Sequence, residues 1–210
     1  MPNLKEIRTR IASVTSTRQI TSAMKMVSAA RFRKAQDAIL SLRPYADKIH
    51  HILSILGDVL AEDHDSIYTR EGEPEKVLLV IVTSNRGLCG AFNAGLIRST
   101  VSLIEKNYVS QKASGNLHLL LIGKKGEDYF KRRDYTIVET RHDLAEHVNP
   151  SEAVKLSEEL TQKFISGEYD RIDLIYNQFK NAAVQLFSHE QYLPIAHEED
   201  EDSDGIHETY

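Results

Sequence analysis

The first sixty residues contain no glycine before Gly57, and their apolar side chains repeat on a seven-residue ladder. The ladder starts at Leu4 and steps alternately by three and four residues, and 13 of its 17 positions up to residue 60 are apolar. Such a narrow stripe predicts a coiled-coil seam rather than the broader face of an ordinary core helix. The positions that we assign to the seam are Leu4, Ile7, Ile11, Val14, Phe32, Ala35, Ile39, Leu42, Ile49, Leu53 and Leu56.

The length of this helix limits where its seam can be buried. At 1.5 Å per residue, the helix should span roughly 85 to 90 Å. A compact domain of about 150 residues, built from the rest of the chain, would measure only about 40 Å across. We therefore expect much of the helix to stand clear of its own domain, and the seam to need a partner there. Pro44, inside the ladder, should kink the helix only locally.

The ladder is interrupted once. Its four polar positions are consecutive: Arg18, Thr21, Lys25 and Ser28. Across this break the apolar side chains shift to Ile20, Ala23, Met24 and Val27. One interpretation is a locally unwound or solvent-facing stretch. The other is contact with a third surface, because Met24 and Met26 are adaptable contact residues and Lys25 and Arg31 supply charge. The sequence alone leaves both open.

Charge is distributed unevenly along the chain. Residues 1–48 hold ten Lys and Arg against three acids, a net of +7; since the whole chain carries −5, the remainder carries −12. A basic rod can meet nucleic acid, an acidic protein surface or only solvent. Basic segments that bind nucleic acid usually carry interleaved aromatic residues, but Phe32 and Tyr45 are the only aromatic residues before residue 60. We therefore expect no nucleic-acid partner.

Composition favours a protein that is either cytosolic or peripheral on the cytosolic side of a membrane. The single cysteine, Cys89, cannot form an intrachain disulfide and fits a reducing compartment. We found no stretch of 18 apolar residues that could span a bilayer, and no signal-peptide core or transit segment at the N-terminus. We expect a cytosolic or peripheral protein from a bacterial source.

Residues beyond the helix alternate between strand and helix patterns. Buried strands are predicted from the apolar runs, and the last two strands are predicted to form an antiparallel hairpin at the sheet edge. Asn149 and Pro150 match the start of a helix that Gly167 closes. The predicted strands are 76–84, 117–122, 135–140, 171–178 and 184–192; the predicted helices are 92–107, 124–133 and 150–166.

This alternation predicts an α/β fold: a long N-terminal coiled-coil helix plus a Rossmann-like, three-layer α/β/α domain of about five strands. We expect the helix to occupy residues 1–60, a polar linker 61–75 and the α/β domain 76–196. Residues 197–210 hold seven acids and no Lys or Arg, and we expect them to be an acidic disordered tail or a shortened loop.

The most distinctive local string, from Thr83 to Asn93, follows the first buried strand and opens a helix. Glycine-rich turns at this position can cradle phosphates. However, the Gly87-x-x-Gly90 spacing matches neither the dinucleotide fingerprint nor the Walker A pattern. The favoured interpretation is a tight strand-to-helix turn. No histidine stands in a recognisable dyad with Cys89, and no spacing suits a metal. We expect no catalytic residue, no cofactor and no metal.

Two strings carry a resemblance to a known family. Residues 19–36, QITSAMKMVSAARFRKAQ, resemble the N-terminal helix signature of the gamma subunit of F1-type ATP synthases. Residues 84–93, SNRGLCGAFN, are similar to a conserved loop of that family, and the opening Leu4 to Ile11 and the Arg43-Pro44-Tyr45 triplet are also similar. The resemblance extends in the same order over essentially the whole chain.

The resemblance implies a central-stalk subunit that transmits torque between a membrane c-ring and the alpha and beta catalytic subunits in proton-driven ATP synthesis. It implies alpha, beta, epsilon and c-ring partners, no catalysis by this chain, and a peripheral place on the cytoplasmic side of the bacterial inner membrane. The subunit-interface residues carried over are Met24, Lys25, Met26, Arg31, Arg86, Gly87, Leu88, Cys89, Gly90 and Asn93.

One departure from the family affects these expectations. The family continues for roughly 80 residues into a second long helix, which this sequence lacks, and we expect a shortened chain rather than a naturally short relative. Its exposed seam should then drive self-association. Two alternatives stay open: a cytosolic coiled-coil scaffold with an α/β module, and a nucleotide-binding α/β protein with a ligand at the turn from Arg86 to Gly90.

Overall fold

A computed structural model gives the structure of the protein, and it describes residues 3–61, 68, 72–146 and 149–195. The side chains of residue 50 and of residues 53–61 lie outside the described part. The chain divides into two compact units, residues 1–56 and residues 57–210. Each unit is described by itself below. The predicted acidic stretch 197–210 and most of the predicted linker 61–75 fall outside the described residues.

The described elements follow one another as the sequence pattern predicts, with two short additions. The helices are α1 (Leu4–Ala61), α2 (Phe92–Asn107), α3 (Val109–Ala113), α4 (Lys124–Phe130), α5 (Asp143–Glu146) and α6 (Pro150–Ile165). The strands are β1 (Val77–Val82), β2 (Leu117–Ile122), β3 (Thr136–Arg141), β4 (Arg171–Phe179) and β5 (Gln185–Leu193). They form one five-stranded sheet in the order β3-β2-β1-β4-β5.

The central strand β1 is apolar on both faces, which requires a covering layer on each side. It pairs in parallel with β2 and with β4. Val77, Leu79 and Ile81 pack in one cluster with residues of α2 and α4, whereas Leu78 and Val80 pack in a second cluster with residues of α6. Helices therefore cover both faces of the sheet, and the predicted Rossmann-like three-layer fold is confirmed.

The sheet ends in an antiparallel hairpin at one edge, as predicted. β5 pairs antiparallel with β4, and its solvent-side residues remain exposed. At the other edge, β3 pairs with β2 through a register shift that leaves Val138 unpaired and 40% exposed. The helix predicted to reach residue 133 ends at Phe130, because the chain closes there in a turn in which the Arg133 amide donates to the Phe130 carbonyl.

Helix α6 begins where the sequence predicts. The Asn149 side chain accepts a hydrogen bond from the Ser151 amide at 3.1 Å, and Pro150 occupies the first helical turn, where its missing N–H costs nothing. Leu156, Leu160 and Phe164 then face the sheet at helical spacing. The short helices α3 and α5 were missed because elements of four or five residues are too short to show a hydrophobic period.

Helix α1 is continuous over 58 residues and includes Pro44 without interruption. The predicted seam residues whose side chains are described, from Leu4 to Ile49, are exposed: Leu4, Ile11 and Val14, for example, are 66%, 60% and 69% exposed. Fully burying one aliphatic side chain of this size contributes about 1.5 to 3 kcal/mol. The helix therefore presents a long row of apolar side chains whose burial would be favourable. Among the residues that the structure describes, none belongs to a helix long and apolar enough to cross a bilayer.

A buried carboxylate joins α2 to the β4–β5 hairpin. Asp173 of β4 is fully buried and accepts hydrogen bonds from the Tyr108 hydroxyl and from Arg171 Nε, the latter at 2.9 Å. Its Oδ2 also lies 2.7 Å from His189 Nε2 on β5. Burial alone would raise the pKa of Asp173, but the hydrogen bonds from His189, Tyr108 and Arg171 outweigh it, so the pKa lies below its ordinary value. The same environment, burial first, raises the pKa of the Tyr108 phenol.

Replacing Asp173 by Asn should destabilise the α/β unit in a pH-dependent way. At pH 7 we expect a loss of about 3 kcal/mol, because the buried partners lose their compensating charge. A carboxyl with a lowered folded pKa contributes stability above its unfolded pKa of about 3.9, and that contribution disappears as pH falls through the lower folded value. Urea unfolding of both proteins between pH 7 and pH 2.5 measures this difference.

The exposed Asp134 offers a matched control in the same unit. Asp134→Asn should change the free energy of unfolding by less than about 0.5 kcal/mol at pH 7. A difference between the parent protein and Asp173→Asn that stays constant down to pH 2.5 would contradict the assignment of a charged carboxylate in the core.

Candidate subunit-interface loop

The loop from residue 83 to residue 93 starts on a buried anchor. The Thr83 side chain is 3% exposed, and its hydroxyl donates to the carbonyl of Ile122 at 3.1 Å and accepts from the Gly126 amide at 2.9 Å. Gly123 passes so close that an added Cβ would lie 2.7 Å from the Thr83 carbonyl carbon, and its φ is +95°. The ends of β1 and β2 are therefore locked together, which fixes the point from which the loop departs.

A clasp between Ser84 and Asn93 closes the loop at its base. The Ser84 amide donates to Asn93 Oδ1 at 3.0 Å, and Asn93 Nδ2 donates to Ser84 Oγ at 2.8 Å. Asn93 Nδ2 also lies 3.2 Å from the Cys89 sulfur. Asn93, which the sequence assigns to the interface, thus holds the two ends of the loop at a fixed separation. Since both ends are held, the positions of the intervening residues are limited.

Asn85 ties the loop to the next two crossovers. Its Nδ2 donates to the His142 carbonyl at 2.8 Å, and its Oδ1 accepts from the Lys124 amide at 3.0 Å. Next to it, Arg86 forms an exposed ion pair with Glu146 of α5 at 3.1 Å. Such a pair contributes at most about 1 kcal/mol, so Arg86 can exchange Glu146 for another carboxylate at small cost.

Leu88 stands at the tip of the loop and is fully exposed, with a relative exposure of 110%. It is the only non-glycine residue with positive φ (+63°) in the part of the chain that the structure describes. A leucine in the left-handed region costs roughly 1 to 2 kcal/mol. The adjacent Gly90, with φ of +60°, adopts the same region without that cost. The loop therefore holds a large apolar side chain outward in a strained backbone conformation.

The predicted residues from Arg86 to Asn93 thus form one patch on the loop, with Leu88 and Cys89 exposed and Gly87 near Lys125. On α1, Met24, Lys25, Met26 and Arg31 are all exposed, and Met24 and Met26 are 63% and 67% exposed. Leu53 and Leu56 fall where side chains are not described. The assignment of the loop, the α1 residues and the seam to subunit contacts stays a prediction.

A cleft of about 520 Å³ lies beside the loop, between the start of α2 and the β4–β5 hairpin. It sits at the carboxyl edge of β1 and β4, the point where a doubly wound sheet reverses its order and where many relatives of this architecture bind ligands. Here the Asn177 side chain donates to the Phe92 carbonyl at 3.0 Å, and the Phe92 amide donates back to Cys89. These hydrogen bonds hold the turn against the start of α2 and the end of β4.

Within the described part of the chain, no three side chains from His, Cys, Asp and Glu lie close enough together to hold a metal ion. The sequence analysis located the string that contains Thr83 and Asn85 but assigned no role to these two residues, and it missed Gly123 and Asn177; all four build the loop without belonging to its exposed tip. One available signal was their position at the carboxyl ends of parallel strands, which meet at one edge of the sheet. Their hydrogen-bond partners, up to 85 residues away in the chain, could not be read from local pattern.

The structure therefore defines an α/β protein with a long N-terminal helix: the helix carries an exposed apolar ladder, and the α/β unit carries a loop with an exposed leucine at positive φ. The sequence profile of the ATP synthase family matches residues 3–210. The chain therefore belongs to the ATP synthase family.

Within that family, the chain is similar to proteins named ATP synthase gamma chain. It is 48% identical to that of Flavobacterium johnsoniae over 196 residues, which cover 93% of this chain and 66% of the relative. It is 47% identical to that of Flavobacterium psychrophilum, also over 196 residues, 93% of this chain and 66% of the relative. With Chloroherpeton thalassium the identity is 39% over 97% of this chain and 67% of the relative. The chain spans about two thirds of the length of these relatives.

Solved structures agree in fold. The central stalk and c-ring structure of the Tetrahymena thermophila mitochondrial ATP synthase contains a chain that matches with a TM-score of 0.60 and 26% identity, covering 83% of this chain and 72% of the other. A rotor structure of the Euglena gracilis mitochondrial enzyme matches with a TM-score of 0.53 and 18% identity, covering 90% and 62% of the two chains. At that identity the second match shows a shared fold only.

Gly123→Ala should destabilise the α/β unit strongly. The new Cβ would overlap the Thr83 carbonyl group, and the alanine backbone would have to adopt a positive φ. We expect the free energy of unfolding, measured with urea, to fall by roughly 3 kcal/mol. Gly115→Ala is the matched control, because Gly115 also has positive φ (+76°) but no neighbour within 4 Å of an added Cβ. It should lose only about 1 kcal/mol. Equal losses would contradict the close approach at the base of the loop.

Leu88→Asn should stabilise the chain by about 0.5 to 1 kcal/mol, because asparagine adopts positive φ more readily than leucine and no buried contact is lost. Urea unfolding of the isolated chain, without other subunits, measures this gain in the free energy of unfolding. Leu186→Asn is the control: Leu186 is also exposed, at 44%, but lies on β5 with ordinary φ, so asparagine there should be neutral or destabilising. A loss of stability at position 88 would show that the leucine is not strained.

Proposed function

We propose that this chain is the central-stalk, rotor subunit of a proton-driven ATP synthase. In this role it transmits torque between the membrane c-ring and the catalytic alpha and beta subunits, contacts the epsilon subunit, and performs no chemistry itself. It acts as a peripheral subunit on the cytoplasmic side of a bacterial membrane. The similarity to gamma chains supports this assignment, and the single observation that carries it is the exposed apolar ladder on the continuous helix α1.

Torque transmission requires a stiff element whose sides contact other chains. A continuous helix of 58 residues, with glycine absent before Gly57, meets the first requirement. The exposed seam from Leu4 to Ile49 meets the second, because apolar side chains at seven-residue spacing pair with another helix or with a sleeve of apolar side chains. Burial of the seam against these partners would hold helix α1, the shaft of the proposed rotor, in place without fixing its rotational position.

The break in the ladder marks where the shaft meets the catalytic subunits in this proposal. Ile20, Met24, Met26 and Val27 are 56% to 67% exposed and cover more than one side of the helix. Lys25 lies among them, Arg31 follows Val27 one helical turn later, and both are exposed. Flexible thioether side chains tolerate several partner surfaces, and long basic side chains can follow acidic ones. A rotor needs this combination, because it meets equivalent surfaces of several subunits in turn.

The loop around Leu88 supplies a second contact on the α/β unit. Its base is held by Thr83, Ser84 and Asn93, so the exposed leucine is presented without a large loss of conformational freedom on binding. Because the exposed ion pair between Arg86 and Glu146 is weak, a carboxylate of another subunit can replace Glu146. Both features favour recognition of an acidic surface that carries an apolar pocket.

Charge reversal in the ladder break should weaken assembly. Lys25→Glu combined with Arg31→Glu replaces two cations by two anions, and we expect at least a tenfold loss of affinity for the alpha and beta subunits, with a weaker dependence on salt. Co-expression with those subunits and affinity capture at several salt concentrations measures this loss. Lys106→Glu combined with Lys155→Glu, which changes the net charge equally on the α/β unit, is the control.

Unchanged capture by the charge-reversed chain would remove the ladder break from the interface. If the chain instead forms a stable homodimer in sedimentation and fails to bind alpha and beta subunits, the coiled-coil scaffold replaces the rotor as the better interpretation. A saturable rise in melting temperature with ATP or NAD, abolished by substitutions at Arg86, would favour the nucleotide-binding alternative.

A further inference from the structure

A groove between α2 and α4 collects positive charge on the face of the α/β unit. It has a volume of about 560 Å³, and its charged lining residues comprise four cations and one acid. The cations are Arg98, Lys125, Arg132 and Arg133, and the acid is Asp128. This balance contrasts with the rest of the chain beyond residue 48, which is strongly acidic.

The groove contains cations available for a ligand and an apolar floor. Lys125 lies 3.6 Å from Asp128, and the Arg133 guanidinium stacks 3.5 Å above the ring of Tyr129. Arg98 and Arg132 are exposed. Within the described part of the chain, neither of these two arginines forms an ion pair or a side-chain hydrogen bond. Ile97, Val101 and Tyr129 line the groove between these cations. Arginine and tyrosine around apolar side chains form the kind of surface that anchors a peptide.

A different cleft, of about 430 Å³, lies where β5 ends. It is lined by Glu73, Glu75 and Asp170 together with Arg171, and it also includes Gln191 and Pro194. Its net charge is negative. A chain segment that leaves the sheet at Pro194 therefore starts beside like charges and gains electrostatic energy by moving away from them.

We propose that the acidic segment 197–210 of this same chain docks in the groove between α2 and α4. The segment holds seven carboxylates and no Lys or Arg, which complements the four cations of the groove. Ile206 and Tyr210 supply apolar side chains for its floor. Six of the seven carboxylates lie within nine residues of Ile195, and nine extended residues reach about 30 Å.

Tethering makes weak ion pairs sufficient for docking. Exposed pairs contribute little individually, but a segment linked by a few residues is present at millimolar effective concentration near the groove. Docking would shield the cations from non-specific anions, and any partner with an acidic peptide would have to compete with the segment. The contact is independent of assembly into an ATP synthase, so it is tested on the chain alone.

Zero-length carbodiimide cross-linking followed by mass spectrometry tests the docking on the full 210-residue chain. We expect cross-links from the Lys125 ammonium to carboxylates between Glu198 and Glu208. Arg98→Lys keeps the positive charge and adds an amine, so it should create a new cross-link to the same segment. At 1 M NaCl, where the Debye length falls to about 3 Å, these cross-links should decrease at least about fivefold.

Charge reversal provides the matched comparison. Arg98→Glu combined with Arg132→Glu should reduce the Lys125 cross-links about fivefold or more. Lys155→Glu combined with Lys180→Glu, two exposed positions outside the groove with the same change in net charge, should leave them unchanged. Changing Glu198, Glu199, Asp200 and Glu201 to their amides should give the same loss without altering the folded unit, and circular dichroism checks that each variant remains folded.

Three results would overturn the proposal: cross-links spread evenly over exposed lysines, equal effects of the two charge-reversal pairs, and absence of a new cross-link in Arg98→Lys. A mixture of ¹⁴N-labelled and ¹⁵N-labelled chains identifies the source of the segment. Cross-links only within one label support docking in the same chain, whereas mixed-label cross-links would show that the groove binds the segment of a second copy and would overturn the intramolecular contact.

Discussion

A strand that is apolar on both faces determines the architecture of the α/β unit. Val77 to Ile81 can be removed from water only if one layer of helices covers each side of the sheet. Parallel pairing with β2 and β4 then requires long crossovers, and the helices supply them. The same requirement places every connection that follows a parallel strand at one edge. The loop carrying Leu88, the turn at Gly123 and the end of β4 meet there as a consequence of burying β1.

The helical unit faces the opposite situation. Helix α1 satisfies its own backbone hydrogen bonds along 58 residues, but its apolar ladder is exposed over most of its described length. Isolated helices gain little stability from propensity alone, and most of it comes from packing of an apolar face. The two units thus treat the hydrophobic effect differently. One buries its apolar residues internally, whereas the other leaves them exposed, as the proposed rotor role requires.

How much of this could be predicted from the sequence depends on the range of the interactions involved. Helix α1, the five strands and the Asn149 cap follow from local periods and local hydrogen bonds, so they were predicted closely. The clasp between Ser84 and Asn93 spans nine residues, and the Asp173 network joins three elements across 65 residues. Neither has a periodic signature. The sequence pattern located the loop, whereas the contacts that make it rigid required the fold.

The construction of the loop explains why rigidity and strain occur together. Thr83, Asn85 and Asn93 fix its base through side-chain hydrogen bonds, and the tip then has little freedom to relax the unfavourable φ of Leu88. Such strain persists only where the surrounding structure determines it. In the proposed role as a rotor subunit, a compliant contact would absorb displacement instead of transmitting it. A fixed base with an outward leucine loses little entropy on binding, so most of the energy of burying that side chain remains for the contact itself.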